Sequence, residues 1–169
     1  NKFFGILNFK LEGINVSLAN ALRRTIISDI DTVVIKTFPH SENQANIMIN
    51  TTRFNNEILK QRLSCIPIHI EDTSIPLETY VIEVHKKNET DTIQYVTTED
   101  FKVKNEKTQT YLKDEEVKKI FPSNNITNQY IDFVRLTPKL SDQIDGSELK
   151  MTAKMSISNA RDSSMYNVV

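Results

Sequence analysis

The chain has 169 residues, 38% hydrophobic and 25% charged, and its 21 Lys and Arg against 22 Asp and Glu leave a formal net charge of −1. That length suits one sizeable domain or two small ones with room for a buried core, and the lack of a basic surplus argues against a protein whose main task is gripping nucleic-acid phosphates. The one cysteine, Cys65, excludes an intrachain disulfide and a cysteine-based zinc site and favours a reducing interior, while three glycines are too few for a phosphate-cradling loop.

No apolar run approaches membrane-spanning length, and nothing at the start resembles a signal peptide. Sequons stand at Asn15, Asn50, Asn88 and Asn125, but Asn and Thr are so abundant that chance matches are expected.

Residues 4–12 alternate, with Leu7, Phe9 and Leu11 opposite Asn8, Lys10 and Glu12, which predicts a half-buried strand. Gly13 then turns the chain, and Ser17 is a candidate N-cap. From Leu18 onward an amphipathic helix is expected, because Leu18, Leu22, Ile26 and Ile30 recur every four residues with Ala19 and Ile27 beside them. Asn20, Arg23 and Arg24 crowd one turn of that helix, and Ala19 and Ala21 let a second backbone come close. An apolar seam beside paired guanidinium groups suits docking against a partner protein better than catalysis.

Thr32–Phe38 reads as a β-branched strand stopped by Pro39, followed by a polar loop from His40 to Asn46 and a short strand at Ile47–Ile49. A second helix is expected from about Asn55 to Leu63, with Phe54, Ile58, Leu59 and Leu63 on its apolar side. After it, Ile66, Ile68 and Ile70 alternate, and Cys65 reads as a small core residue. Tyr80, Ile82 and Val84 predict one strand and Ile93 and Tyr95 the next, with Asn88–Asp91 as the hairpin turn between them. Asp114–Ile120 is a short helix with acids at its start and lysines near its end. Tyr130–Thr137 is a further strand, and Leu149, Met151, Ala153, Met155 and Ile157 alternate with polar residues in the clearest strand of all.

Two passages carry a family resemblance. Leu18-Ala-Asn-Ala-Leu-Arg-Arg-Thr25, followed by Asp29-Ile-Asp-Thr-Val-Val-Ile35, resembles the first helix and next strand of alpha-like RNA polymerase subunits. Asn50-Thr-Thr-Arg-Phe-Asn-Asn-Glu-Ile-Leu-Lys-Gln-Arg-Leu-Ser-Cys-Ile-Pro-Ile68 is similar to a segment of one branch of that family. The branch holds the archaeal D subunit and the third-largest subunit of eukaryotic RNA polymerase II. Gly146-Ser-Glu-Leu-Lys-Met-Thr-Ala-Lys154 resembles a Gly-Gln-Glu-Leu strand near the end of the family's insert domain. The likeness is strong before Ile70 and weak between about Glu71 and Asn128.

Some positions depart from the pattern. Gln61 stands where the family often has His, and Ser64-Cys65 replaces Gly-Leu. A cysteine-rich zinc or iron–sulfur insertion, present in some relatives, cannot be built here. The tail from Asn159 to Val169 is worded more like versions from large DNA viruses of eukaryotes, and the Asn/Lys/Ile-rich composition is compatible with such a source. The chain begins without Met and stops before the family's second dimerisation helix, which reads as a fragment or a split subunit.

The resemblance implies an α+β protein with the alpha-like RNA polymerase subunit fold: a partial dimerisation domain over residues 1–48 and a mostly β insert domain over 49–169. It implies a non-catalytic assembly subunit without cofactor or metal, acting in the nucleus or in a viral factory or virion. Leu18, Leu22 and Ile26 would pack on the equivalent helix of a smaller, eleventh-subunit-like partner. Arg23 and especially Arg24 would meet the second-largest subunit, Asn20 would belong to the partner interface beside them, and Glu57 and Arg62 would either pair locally or meet the large subunit. The bland alternative leaves the apolar stripe on the chain's own sheet and the arginines in local ion pairs or solvent. Two rivals are a free-standing nucleic-acid-binding regulator on the same fold and a hydrolase using Cys65 with a histidine. The first needs a basic surface, and the second needs a base–nucleophile spacing that His40, His69 and His85 do not offer.

Overall fold

The computed structural model describes residues 8–70, 72, 75–141 and 143–167. These fall into two units, one formed by residues 8–30 with 159–167 and the other lying within 31–158. The smaller unit carries helix α1 (Val16–Ser28) and a 3₁₀ turn at Ser164–Tyr166.

The larger unit runs β1 (Thr32–Val34), β2 (Ala45–Asn50), α2 (Asn56–Ser64), β3 (Tyr80–Lys87), β4 (Gln94–Thr97), β5 (Lys102–Asn105), β6 (Thr110–Tyr111), α3 (Asp114–Ile120), β7 (Asp132–Leu136), β8 (Glu148–Lys154) and β9 (Ser156–Ser158). Its main sheet has the order β2-β8-β3-β5-β6, and β4 with β7 and β1 with β9 make two smaller ladders. Every pairing is antiparallel. The alternation of β8 explains its central place. Leu149, Met151 and Ala153 are buried on one face, and across the ladder Met151 lies opposite Val84 and Ala153 opposite Ile82. Helix α2 lays Leu59 and Leu63 into the same core. Phe101 anchors the far side with two edge-on ring contacts, 5.4 Å to Phe121 and 5.8 Å to Phe133.

A tight corner joins the main sheet to β7. Asn88, just after β3, is fully buried, and its carboxamide donates to the Thr92 and Leu136 carbonyls (2.8 and 3.3 Å) while accepting from the Thr90 N–H and hydroxyl (3.0 and 2.8 Å). Gly146 passes so close that a Cβ there would stand 2.0 Å from the Asn88 carbonyl oxygen. The Lys87 ammonium reaches Asp145 at 3.0 Å across this corner. That hydrogen bond, backed by charge attraction, holds the Asp145 carboxyl below its ordinary range and raises the Lys87 ammonium above its own.

Several expectations need correction. Residues 8–12 form no strand, and Phe9 and Leu11 are exposed; residues 4–7 lie outside the described residues. Strand β1 ends at Val34, well before Pro39, and the loop after it contains a 3₁₀ turn at His40–Glu42. The β3–β4 hairpin does not form, because β3 already has β5 and β8 on its two edges and β4 pairs with β7 instead. In β4 it is Val96 that faces the core, while Ile93 and Tyr95 are exposed. Ile66, Ile68 and Ile70 belong to no strand, although Ile66 is buried and the other two half-buried. The last strand is two, broken at Met155, so Ile157 is exposed and Ser158 buried. Cys65 is exposed and its neighbour Ser64 takes the interior position.

Candidate partner interface

Helix α1 begins two residues earlier than the Ser17 cap suggested. Asn15 is the N-cap, its carboxamide oxygen accepting the Ser17 N–H at 2.9 Å. The stretch Val16–Ser28 contains no Gly or Pro to interrupt it. At the far end Asp29 closes the last turn, its N–H donating to the Thr25 carbonyl at 2.9 Å. A carboxylate at a helix C-terminus opposes the dipole; here the Arg161 guanidinium pairs with it, one N–H lying 2.8 Å from Asp29 Oδ2.

None of the residues of α1 is buried. Leu18 is 64% exposed and Leu22 43%, whereas Ala19, Ile26 and Ile27 are half-buried. Successive residues step about 100° around a helix, so Leu18 and Leu22 lie about 40° apart and Arg24 is about 200° from Leu22. The exposed leucines and Arg24 therefore look out from opposite sides. Arg23 is steadied locally, its guanidinium donating to the Asn20 side-chain oxygen at 3.0 and 3.2 Å. Among the described residues, none hydrogen-bonds or ion-pairs with the Arg24 guanidinium.

The second motif is built differently. Asn50 ends β2 by donating to the Phe54 carbonyl and to Asn56, both at 2.8 Å, while accepting from the Thr52 N–H and hydroxyl. Asn55 caps α2 through the Ile58 N–H at 2.9 Å. Arg62 turns inward, donating to the Phe133 and Asp132 carbonyls at 2.8 and 2.9 Å and lying 5.6 Å from the centre of the Phe54 ring. Of the two roles left open for it, the local one is what its geometry fits. Glu57 is exposed in the first turn of α2, and no partner for its carboxylate is found among the described residues.

The RNA polymerase Rpb3/Rpb11 dimerisation domain matches residues 8–133, a span that takes in α1, β1, β2 and α2. The chain belongs to this family. It is 40% identical over 63 residues to DNA-directed RNA polymerases IV and V subunit 3B of Arabidopsis thaliana, covering 37% of this chain and 18% of that one. It is 35% identical over 81 residues to DNA-directed RNA polymerases I and III subunit rpac1 of Dictyostelium discoideum, covering 46% and 21%. DNA-directed RNA polymerase subunit Rpo3 of Thermoplasma volcanium is 37% identical over 67 residues, covering 37% and 25%. The matches thus span a quarter or less of each relative's length.

Within this Rpb3/Rpb11-type chain, the exposed apolar surface is larger than the helical stripe alone suggested. Phe9, Leu11, Ile14 and Val16, just before and at the start of α1, are all exposed. The period-2 pattern assigned Phe9 and Leu11 to a covered strand, and nothing in the sequence marked them as exposed. Of the sequon asparagines, Asn15, Asn50 and Asn88 are structural, each tying down nearby backbone. Among the described residues no group of three or more His, Cys, Asp or Glu is arranged to hold a metal ion.

Proposed function

We propose that this chain is a non-catalytic assembly subunit of a DNA-directed RNA polymerase. In this reading α1 packs on the equivalent helix of a smaller alpha-like subunit, and the resulting pair recruits the second-largest subunit. Residues 1–48 supply the first part of the dimerisation domain, to which β9 returns by pairing with β1, and the rest is mostly insert domain.

The observation that carries the proposal is a helix with a regular apolar stripe that buries none of its residues. Covering a Leu completely contributes about 1.5–3 kcal/mol. The exposed fractions of Leu18 and Leu22 together amount to roughly one whole side chain, so covering them adds about that much before the costs of association. Arg24, on the opposite side and without a partner of its own among the described residues, is free to offer two-pronged hydrogen bonds to a second surface.

Co-expression with the alpha-like partner, followed by size-exclusion chromatography, tests this. Leu22→Asp places an unpaired carboxylate in the seam and should abolish the pair. Arg24→Ala should leave the pair intact and weaken capture of the second-largest subunit. A normal pair from Leu22→Asp refutes the proposed face, and loss of the pair with Arg24→Ala means the two faces are exchanged.

A further inference from the structure

A helix as short as α1, with none of its residues buried, is marginal in water unless something outside it holds it. Its two halves differ. Residues 20–25 are exposed, whereas Ile26, Ile27, Ser28 and Asp29 are half-buried. The end that is held is also the end with a charge of the wrong sign, because the Asp29 carboxylate stands at the negative pole of the helix dipole.

The cation that answers it lies 132 residues further along the chain, in the same compact unit. Arg161 Nε pairs with Asp29 Oδ1, and Arg161 Nη2 donates to Oδ2 at 2.8 Å, the two-pronged geometry that guanidinium and carboxylate favour. Arg161 itself stands on a tight turn. Its N–H donates to the Asn159 side-chain oxygen at 3.1 Å, and the Asp162 N–H donates to the Asn159 carbonyl at 3.1 Å. From Asp29 the contact continues into the helix. The Ser28 hydroxyl lies 2.8 Å from Asp29 Oδ1 and 2.7 Å from the Arg24 carbonyl, and can donate to either.

We propose that residues 159–167 brace α1, and that Arg161 is a positioning residue for the partner interface without touching the partner. The tie fixes the last turn of the helix and the carbonyl of Arg24, and so the direction in which Leu22 and Arg24 are presented. This inference rests on the assembly reading above. It also sets an order of events: α1 is made early, but is presented correctly only once the segment after β9 is in place.

Hydrogen exchange of the full chain, read by mass spectrometry, needs no partner. Arg161→Ala should speed exchange of the Thr25–Asp29 amides about two- to five-fold, the range of a well-formed surface ion pair. Asp29→Asn is the sharper variant. It relieves the conflict with the dipole, so a purely local role predicts slower exchange, whereas the tie predicts faster exchange. Exchanging the charges, with Asp29→Arg and Arg161→Asp together, should restore protection. In co-expression with the alpha-like partner, Arg161→Ala should weaken the pair by a similar factor, and thermal melts check that each variant is folded. The proposal is overturned if exchange ignores Arg161→Ala, if Asp29→Asn slows it, or if pairing is unchanged while exchange rises. A pair that survives Leu22→Asp overturns the role in pairing through the assembly reading itself, and is told apart because exchange still answers to Arg161.

Discussion

Replacing Gly146 by Ala adds a single methyl group, and the structure says where it goes. The new Cβ would sit 2.0 Å from the Asn88 carbonyl oxygen, 3.0 Å from its carbon and 3.1 Å from the Lys139 nitrogen. All three are backbone atoms, so no side chain can swing aside to make room. The Asn88 backbone is itself pinned, with its N–H donating to the Ser147 carbonyl at 2.9 Å and its buried carboxamide making four further hydrogen bonds. Overpacking a tight site costs about 1–3 kcal/mol, and loosening one or two of these bonds adds about 1 kcal/mol each. A total of about 2–5 kcal/mol follows, which for a chain of this size lowers Tm by roughly 4–20 °C. Circular dichroism melts of the two proteins measure it.

A double-mutant cycle sharpens the test. Asn88→Ala releases the carboxamide anchors and lets the backbone yield, so Gly146→Ala should cost less in that background than in the wild type. A melt within a degree or two of wild type for Gly146→Ala, or strict additivity with Asn88→Ala, would refute the claim that a rigid corner excludes every side chain at 146.

Arg62→Ala should destabilise the chain by about 1.5–3 kcal/mol in urea unfolding, since two carbonyl partners on β7 and the Phe54 ring lose their cation; Arg62→Lys should rescue little, because an ammonium cannot span both carbonyls in one plane. The Asp145 carboxyl, followed by NMR through acid titration, should show its inflection below the ordinary 3.8 and move back up in Lys87→Ala. Because its folded pKa is the lower one, the pair's contribution to stability is complete above the unfolded carboxyl value and is lost as pH falls through the folded one. A carboxyl titrating at its ordinary value in the wild type would show that the ion pair at this corner does not form in solution.

What the sequence revealed and what it hid divide along physical lines. Helix α3 begins and ends where the charge pattern of Asp114–Ile120 placed it, and α2 lies within a residue of its expected bounds, because caps and periodicity are local signals. The β3–β4 hairpin failed because strand pairing is not local. Asn88–Asp91 looks like a turn, but the buried Asn88 carboxamide binds the loop to β7, and β8 occupies the edge that a hairpin would need. The break at Met155 was invisible for a related reason: the polar–apolar alternation continues through it while the chain passes from one ladder to another. At the candidate interface, the stripe on α1 was legible, as was the crowding of Asn20, Arg23 and Arg24. The inward turn of Arg62 was not, because its acceptors are backbone carbonyls, which every residue carries and no sequence pattern marks.

Helices α1 and α2 make the same point from the other direction. Both lie in passages that resemble the same family, both are capped by an asparagine, and both present an apolar side. Periodicity says of each only that one face will be covered. In α2, Leu59 and Leu63 are covered by the chain's own sheets, and Arg62 fastens that contact to β7. In α1, Leu18 and Leu22 remain exposed, and of its two arginines one is steadied by Asn20 while the other is not held. A motif arginine fixed to carbonyls serves the fold. One that extends from a helix with an uncovered apolar face has its energetic use only when something else arrives, which is why the assembly role is assigned to α1 and not to α2.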